Sequence, residues 1–196
     1  MRYDQDHKAE TRDRVLKAAA RSMRADGPHK LGVAAVMAQA GLTHGGFYAH
    51  FPSREALVTA TVERLFEDSR SRFAAETEGF APAEAFGRYV DFYLSVAHRD
   101  TRGAGCPLPF LTSDAFRLPP DARAVFAAGV AGLEAKLAGL LFALGGEAAR
   151  DAAGSVLAEL VGALSLARAE PDPERSLAIL DRSRSALKAR FEGHAP

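Results

Sequence analysis

Apolar residues recur along this chain at spacings of three and four, Gly and Pro interrupt them at intervals, and no stretch sustains strand-like alternation. Val15, Leu16, Ala19 and Met23 form one stripe, which predicts a helix from Thr11 as N-cap to Ala25, stopped by Asp26-Gly27-Pro28. Val33, Val36, Met37 and Ala40 predict a second, short helix that ends at Gly41. Thr43 caps a third through His50, and Pro52 closes it. Ser53 then opens a long helix reaching about Thr77, with Leu57, Thr61, Arg64, Leu65 and Phe73 along it. Beyond the break at Gly79 to Pro82, helices are expected at about 83–98, 106–116, 120–144, 147–168 and 173–191. The fold class is all-α. Residues 1–56 make a small three-helix unit, the helix at about 53–77 connects it onward, and residues 57–196 make a larger helical one. Helix 120–144 is apolar around much of its circumference and is expected at the centre of that second unit.

The third short helix has an unusual composition. Its glycines, Gly45 and Gly46, each cost roughly 1 kcal/mol in a helix interior, and so short a helix is unstable alone in water. Phe47 and Phe51, four residues apart, can anchor it to the first two helices. The glycines then suit a backbone that must approach another surface closely. A helix, a Gly turn and a second helix in this order present one helix to the DNA major groove. A phosphate backbone fits: Thr43 offers a hydroxyl beside free helix N–H groups, Tyr48 and His50 offer outward donors, and Arg54 reaches a second phosphate.

Charge agrees once the chain is divided. The whole is formally neutral, but residues 1–54 hold nine Lys or Arg against five acids, a balance of plus four, and the remainder carries minus four. Polyphosphate attraction needs a basic face and not a basic protein. The 196 residues are 47% hydrophobic and 26% charged, ordinary for a soluble globular protein, and no apolar run approaches the ~18 residues of a membrane span. The polar N-terminus lacks a secretory pattern, so the cytoplasm is expected and no membrane partner is. One cysteine excludes an internal disulfide framework. Scattered histidines and the absence of phosphate-cradling or nucleophile-elbow motifs argue against a metal, a cofactor and an enzyme.

Leu31-Gly32-Val33, Ala40-Gly41-Leu42-Thr43, Gly45, Phe47-Tyr48-Ala49-His50-Phe51 and Arg54-Glu55 together closely resemble the DNA-binding domain of the TetR/AcrR family of bacterial repressors. The resemblance covers about residues 11–57. It implies that Thr43, Tyr48, His50 and Arg54 touch phosphates and that His44 and Gly46 face base edges. Gly46 stands where Ser, Thr or Ala is common, and Ala34 where a polar residue often sits. Direct base readout is therefore expected to be sparse, with His44 its best side chain, and DNA shape to supply part of the specificity. The resemblance further implies a small-molecule effector, of unknown identity, held in the second unit.

In that unit Phe86, Tyr89, Val90 and Tyr93 share one helical face and are expected to meet Phe126, Val130 and Leu133. The stripe reads as core or as the wall of an effector pocket, which would comprise Phe86, Tyr89, Tyr93, Cys106, Phe110, Phe126 and Val130. Val156, Leu157, Leu160, Val161 and Leu164, interleaved with small residues, predict a face for homodimerisation through the last two helices. Cys106 follows a Gly-rich loop. A helix N-terminus and nearby Arg99 and Arg102 would lower its pKa and make it an electrophile or redox sensor; the other reading is a small buried hydrophobe. The function expected is a homodimeric repressor released from an inverted-repeat operator. A thiol-dependent helical enzyme built on Cys106 is the alternative from another class, although no His close in sequence suggests a base.

Overall fold

The computed structural model describes residues 2–192, and within them the elements are helical throughout. Helix α1 (Arg2–Asp26) starts nine residues before Thr11, because residues 2–10 contain no Gly or Pro to stop it. Thr11 is accordingly not a cap but a buried residue inside the helix. The stripe Val15, Leu16, Ala19 and Met23 is buried as its spacing requires. It packs on α2 (Val33–Gln39) and on α3 (Arg54–Thr77). The Thr43–His50 segment is a 3-10 turn, His44–Ala49, and not an α-helix. Six residues with two glycines form tighter bonds of the i to i+3 kind instead, such as Gly46 N–H to the Thr43 carbonyl at 3.1 Å.

Ser53 caps α3 as expected, its hydroxyl accepting from the Ala56 N–H at 3.1 Å. A residue-56 division falls in the first turn of α3, so the two halves share one continuous helix with no linker. Along α3, Leu57, Thr61, Leu65, Phe66 and Phe73 face inward. A chain of ion pairs ties α1 to it: Asp13 accepts from Arg64, which also pairs with Asp68 at 2.9 Å, and Asp68 accepts from Arg24 at 2.8 Å.

Helix α4 (Pro82–Tyr93) ends five residues short of the predicted 98, because Ser95 starts a new helix by accepting from the His98 N–H at 3.0 Å. That helix is α5 (Val96–Asp100). The segment predicted at 106–116 splits into α6 (Leu108–Leu111) and a 3-10 turn, Thr112–Arg117. Helix α7 (Pro120–Arg150) bends at Gly145-Gly146, where Gly146 has φ 69°, and α8 (Ala153–Ala169) begins after a turn at 151–152. Helix α9 (Pro173–Phe191) is capped by Asp172, which accepts from the Arg175 N–H at 2.8 Å.

Two expectations about this half change. Helix α7 is central on one side only: Phe126, Leu133, Leu137 and Leu141 are buried, whereas Ala124, Ala128, Ala131, Ala135 and Phe142 are exposed. Among the described residues it is the one helix long and apolar enough to cross a membrane, although Glu134 and Lys136 interrupt its apolar run. Its leucine row packs on α3, α4 and α8, as the core helix of a globular protein does. On α8, Val156, Leu157, Leu160 and Leu164 are buried within the protomer and Val161 is half-buried, so the predicted dimer face is largely this chain's own core. The side of α8 and α9 that remains outside carries Leu166, 63% exposed, and Leu177.

At Gly129 α7 crosses α3 so closely that a Cβ would lie 2.4 Å from the buried Phe66 ring. A methyl there has nowhere to go, since Phe66 is itself pinned edge-on by Phe126, with ring centroids 5.6 Å apart. Gly129→Ala is expected to destabilise by ~1–3 kcal/mol despite alanine's better helix propensity. Calorimetric melting checks this; an unchanged or raised Tm would show that the contact is not tight.

Candidate DNA-binding surface and ligand cavity

The Thr43–His50 segment sits on the outside of the α1–α3 bundle, held by two rings. Phe47 and Phe51 are buried and stacked with centroids 5.8 Å apart, and the Arg12 guanidinium lies 5.0 Å above Phe51. Facing outward are Thr43, His44, Gly45 and Tyr48, the last 71% exposed. Thr43 makes no side-chain bond to the turn that it opens, contrary to the capping role predicted, so its hydroxyl is not used internally there. A Cβ at Gly45 would meet nothing within 4 Å, and one at Gly46 only ordinary contacts with Met37 and Thr43. Neither glycine is required by the packing of the protomer. His50 is half-buried with Nδ1 lacking a partner, and burial, with help from Lys8 and Arg12, holds its pKa below the usual histidine range.

Arg54 is placed differently from the rest. Its Nε donates to the Leu31 carbonyl at 3.1 Å and Nη2 donates to Pro28 at 3.2 Å and His29 at 3.4 Å. The guanidinium therefore laces α3 to the loop before α2, a role that the motif spacing did not reveal.

A cavity of about 370 Å³ opens between α3, α4, α5 and the loop leading to Cys106. Of the predicted pocket residues it takes Tyr89, Tyr93 and Cys106. Phe86 instead packs edge-on against Phe191 at 5.0 Å, Phe126 packs on Phe66, Val130 lies on α7 away from the opening, and Phe110 lines a neighbouring cleft. Helix α4 does pack on α7 as expected, but Phe86 and Phe126 find their ring partners on α9 and α3. The cavity adds residues that sequence reading passed over: Arg24, Asp68, Ser69, Arg72, Phe92 and His98. Arg24 and Asp68 carry no local signal, because only the crossing of α1 over α3 brings them together. His98 had one: the Gly-rich loop four to seven residues on. Gly105 has φ 107°, and a Cβ there would stand 2.3 Å from His98 Nε2, so the loop folds directly onto the imidazole.

That contact decides the chemistry of Cys106. His98 Nδ1 bonds to the Tyr93 carbonyl at 2.8 Å, and Nε2 accepts from the Cys106 N–H at 3.3 Å. Both ring nitrogens are spent on backbone, so the imidazole is a spacer and not a base for the thiol. The thiol itself is buried, and burial pushes its pKa up, outweighing the neighbouring donors and Arg168. The predicted lowering by Arg99 and Arg102 is thereby corrected: Arg99 is held by Asp100 at 2.7 Å and by Ser176, while the Leu108 N–H at the start of α6 does favour the thiolate but is outweighed by burial.

Burial lowers the pKa of His98 to about 4. The unfolded chain takes up this proton near 6.5 while the folded chain refuses it until about 4, so stability falls as pH drops through that interval. The expected loss is ~3 kcal/mol, seen as a falling Tm between pH 6.5 and 4 that flattens in His98→Gln. An equally steep profile in the variant would assign the loss to carboxylates.

Residues 15–61 match the family described as bacterial regulatory proteins, tetR family. No curated protein matches the chain. Among solved structures, a TetR transcriptional regulator from Chloroflexus aurantiacus is 24% identical, covering 96% of this chain and 97% of its own, with a TM-score of 0.80. The TetR-family regulator from Agrobacterium tumefaciens is 21% identical over 94% and 98%, with a TM-score of 0.78. The reduced form of Escherichia coli NemR is 22% identical over 92% and 96%, with a TM-score of 0.76. These likenesses are of fold and run almost end to end, while the matched family segment contains α2, the outward 3-10 turn and the start of α3. Residues 15–61 of this all-α chain are thus similar to the helix-turn-helix segment of the tetR family of bacterial regulatory proteins, and the chain as a whole shares the fold of TetR-family regulators.

Proposed function

We propose that this regulator is a homodimeric cytoplasmic repressor that holds an inverted-repeat operator through two copies of the Thr43–His50 surface and releases it when a small molecule occupies the cavity. The observation that carries the reading is the 3-10 turn itself: two buried Phe rings fix it while its polar side chains and its glycine backbone face outward. Residues 1–56 act as the DNA-binding head and 57–196 as the effector and dimerisation unit. In the bound state Thr43, Tyr48 and His50 grip phosphates, His44 meets a base edge, and Gly45 and Gly46 allow the backbone close to the duplex. Arg54 supports them by fixing the loop before α2. One such turn reads few bases, so a dyad-related second head is needed to reach the next half-site and multiply affinity. The outer side of α8 and α9, with Leu166 and Leu177 exposed, is the surface for that pairing.

Release follows from linkage. A ligand that binds better to one spacing of the heads must weaken DNA binding, and DNA must weaken ligand binding by the same factor. Helix α3 is the lever, since it walls the cavity at Asp68, Ser69 and Arg72 and begins in the head. A second reading rests on Cys106 lining this same cavity: an electrophile that enters could alkylate it, although the raised thiol pKa slows the attack. Release of operator by an electrophile from wild type but not from Cys106→Ser supports that reading, and equal release removes it.

Gly45→Ala separates folding from DNA contact. Its stability is expected to stay level or rise by up to ~1 kcal/mol, because the space at Gly45 is open, while operator affinity in a gel shift falls at least tenfold. Unchanged affinity would mean that this backbone does not approach the duplex. Operator binding is also expected to weaken steeply with salt, with log K linear in log salt; equal affinity for random DNA at every salt concentration contradicts a specific repressor.

A further inference from the structure

Two polar atoms beside the cavity are buried without a good hydrogen-bond partner. The Tyr93 hydroxyl lacks a hydrogen-bond acceptor of good geometry and has only the weak acceptor of the Cys106 thiol beside it. The second is Nε of Arg24, whose side chain is only 6% exposed and whose Nη2 is held by Asp68. Both residues line the same space, and an unmet buried donor costs ~1–3 kcal/mol, which an acceptor from outside would recover. The surrounding field has one sign. Arg72 and Arg168 both push the proton off His98, and Arg168 favours the ionised form of Cys106. The one acid in the lining, Asp68, is divided between Arg24 and Arg64. The remaining wall is flat and aromatic: Tyr89, Phe92, Tyr93 and the His98 imidazole, with Phe92 and His98 stacked at 5.1 Å. A volume of about 370 Å³ lies at the lower end for ligand sites, ~300–1,000 Å³.

Resting on the reading above that this cavity holds the effector, we propose that its ligand is a small aromatic carboxylate, its ring packed against Phe92 and Tyr93 and its carboxylate taken by Arg24 with the Tyr93 hydroxyl as second donor. A neutral amide or ester of the same shape offers one weak acceptor and no charge to the guanidinium, so the acid is selected. Arg24 belongs to α1, the first helix of the head, and its partner Asp68 belongs to α3. A carboxylate at Arg24 competes with Asp68 for the guanidinium and weakens the tie between these two helices at the point where ligand and head meet.

Titration calorimetry with 2-naphthoate on the full chain tests the ligand class without DNA. Binding is expected at one per chain, at least tenfold tighter than 2-naphthamide, and tenfold weaker in Arg24→Gln. Tyr93→Phe, which keeps the ring and removes only the hydroxyl, is expected to weaken the acid severalfold and the amide by less. It decides the matter should Arg24→Gln fail to fold. Amide binding as tight as the acid, or acid binding unaffected by Tyr93→Phe, would overturn the proposal, as would no heat with either acid or amide. The operator gel shift is run separately on the same protein: retained operator binding with no naphthoate binding sinks the ligand class alone, whereas no operator binding sinks the repressor reading and leaves the calorimetry to judge the cavity.

Discussion

A six-residue turn cannot fold by itself, and everything that this protein does on DNA depends on how that turn is held. Bonds of the i to i+3 kind and two glycines give it little intrinsic stability. The Phe47–Phe51 stack driven into the α1–α2 bundle supplies what is missing. Burying two Phe side chains contributes ~3–6 kcal/mol, more than the glycines cost. The rings also fix which side faces out: between them Tyr48 and Ala49 are exposed and His50 is half-buried. Arg54 completes the frame from α3 by bonding three carbonyls of the preceding loop.

The second constraint is that head and cavity are not separate bodies. Helix α3 runs unbroken from the cap at Ser53 to the cavity wall at Arg72, and the Asp13–Arg64–Asp68–Arg24 chain clamps α1 along its length. Such charge pairs are partly exposed and contribute modestly to stability. They are directional and exchangeable, which is the useful property in a joint: a change at one carboxylate alters which helix an arginine holds. Hydrophobic contacts between α1 and α3 keep the bundle folded while the polar layer above them selects its arrangement.

Much of the fold could be read along the chain because its punctuation is local. Gly41, Pro52, Gly79 to Pro82, Gly145-Gly146 and the Pro171–Pro173 stretch end or bend elements where their backbone chemistry demands it. The errors were of two kinds. Boundaries slipped where a side-chain cap such as Ser95 restarted a helix inside an apolar run. Partners were misassigned wherever the answer lay in a long-range crossing: Phe86 against Phe191, Phe126 against Phe66, and α8's apolar row against its own protomer. The outward head residues were legible because the turn is short and two aromatic anchors reveal its inner side. The cavity was only half legible, since its aromatic wall comes from one helix but its charged wall comes from α1 and α3 meeting. Cys106 shows the same limit: a Gly-rich approach suggested an activated thiol, and the imidazole folded over it produced a buried one.

Amide hydrogen exchange with and without operator duplex tests the central claim most directly, because it reads each segment in place and needs no substitution. If the turn lies against the duplex, amides of residues 43–50 slow on adding operator, along with the N-terminal turn of α3, while those of α8 and α9 keep their rates. Unchanged exchange over 43–50 with protection elsewhere on the chain would contradict the account.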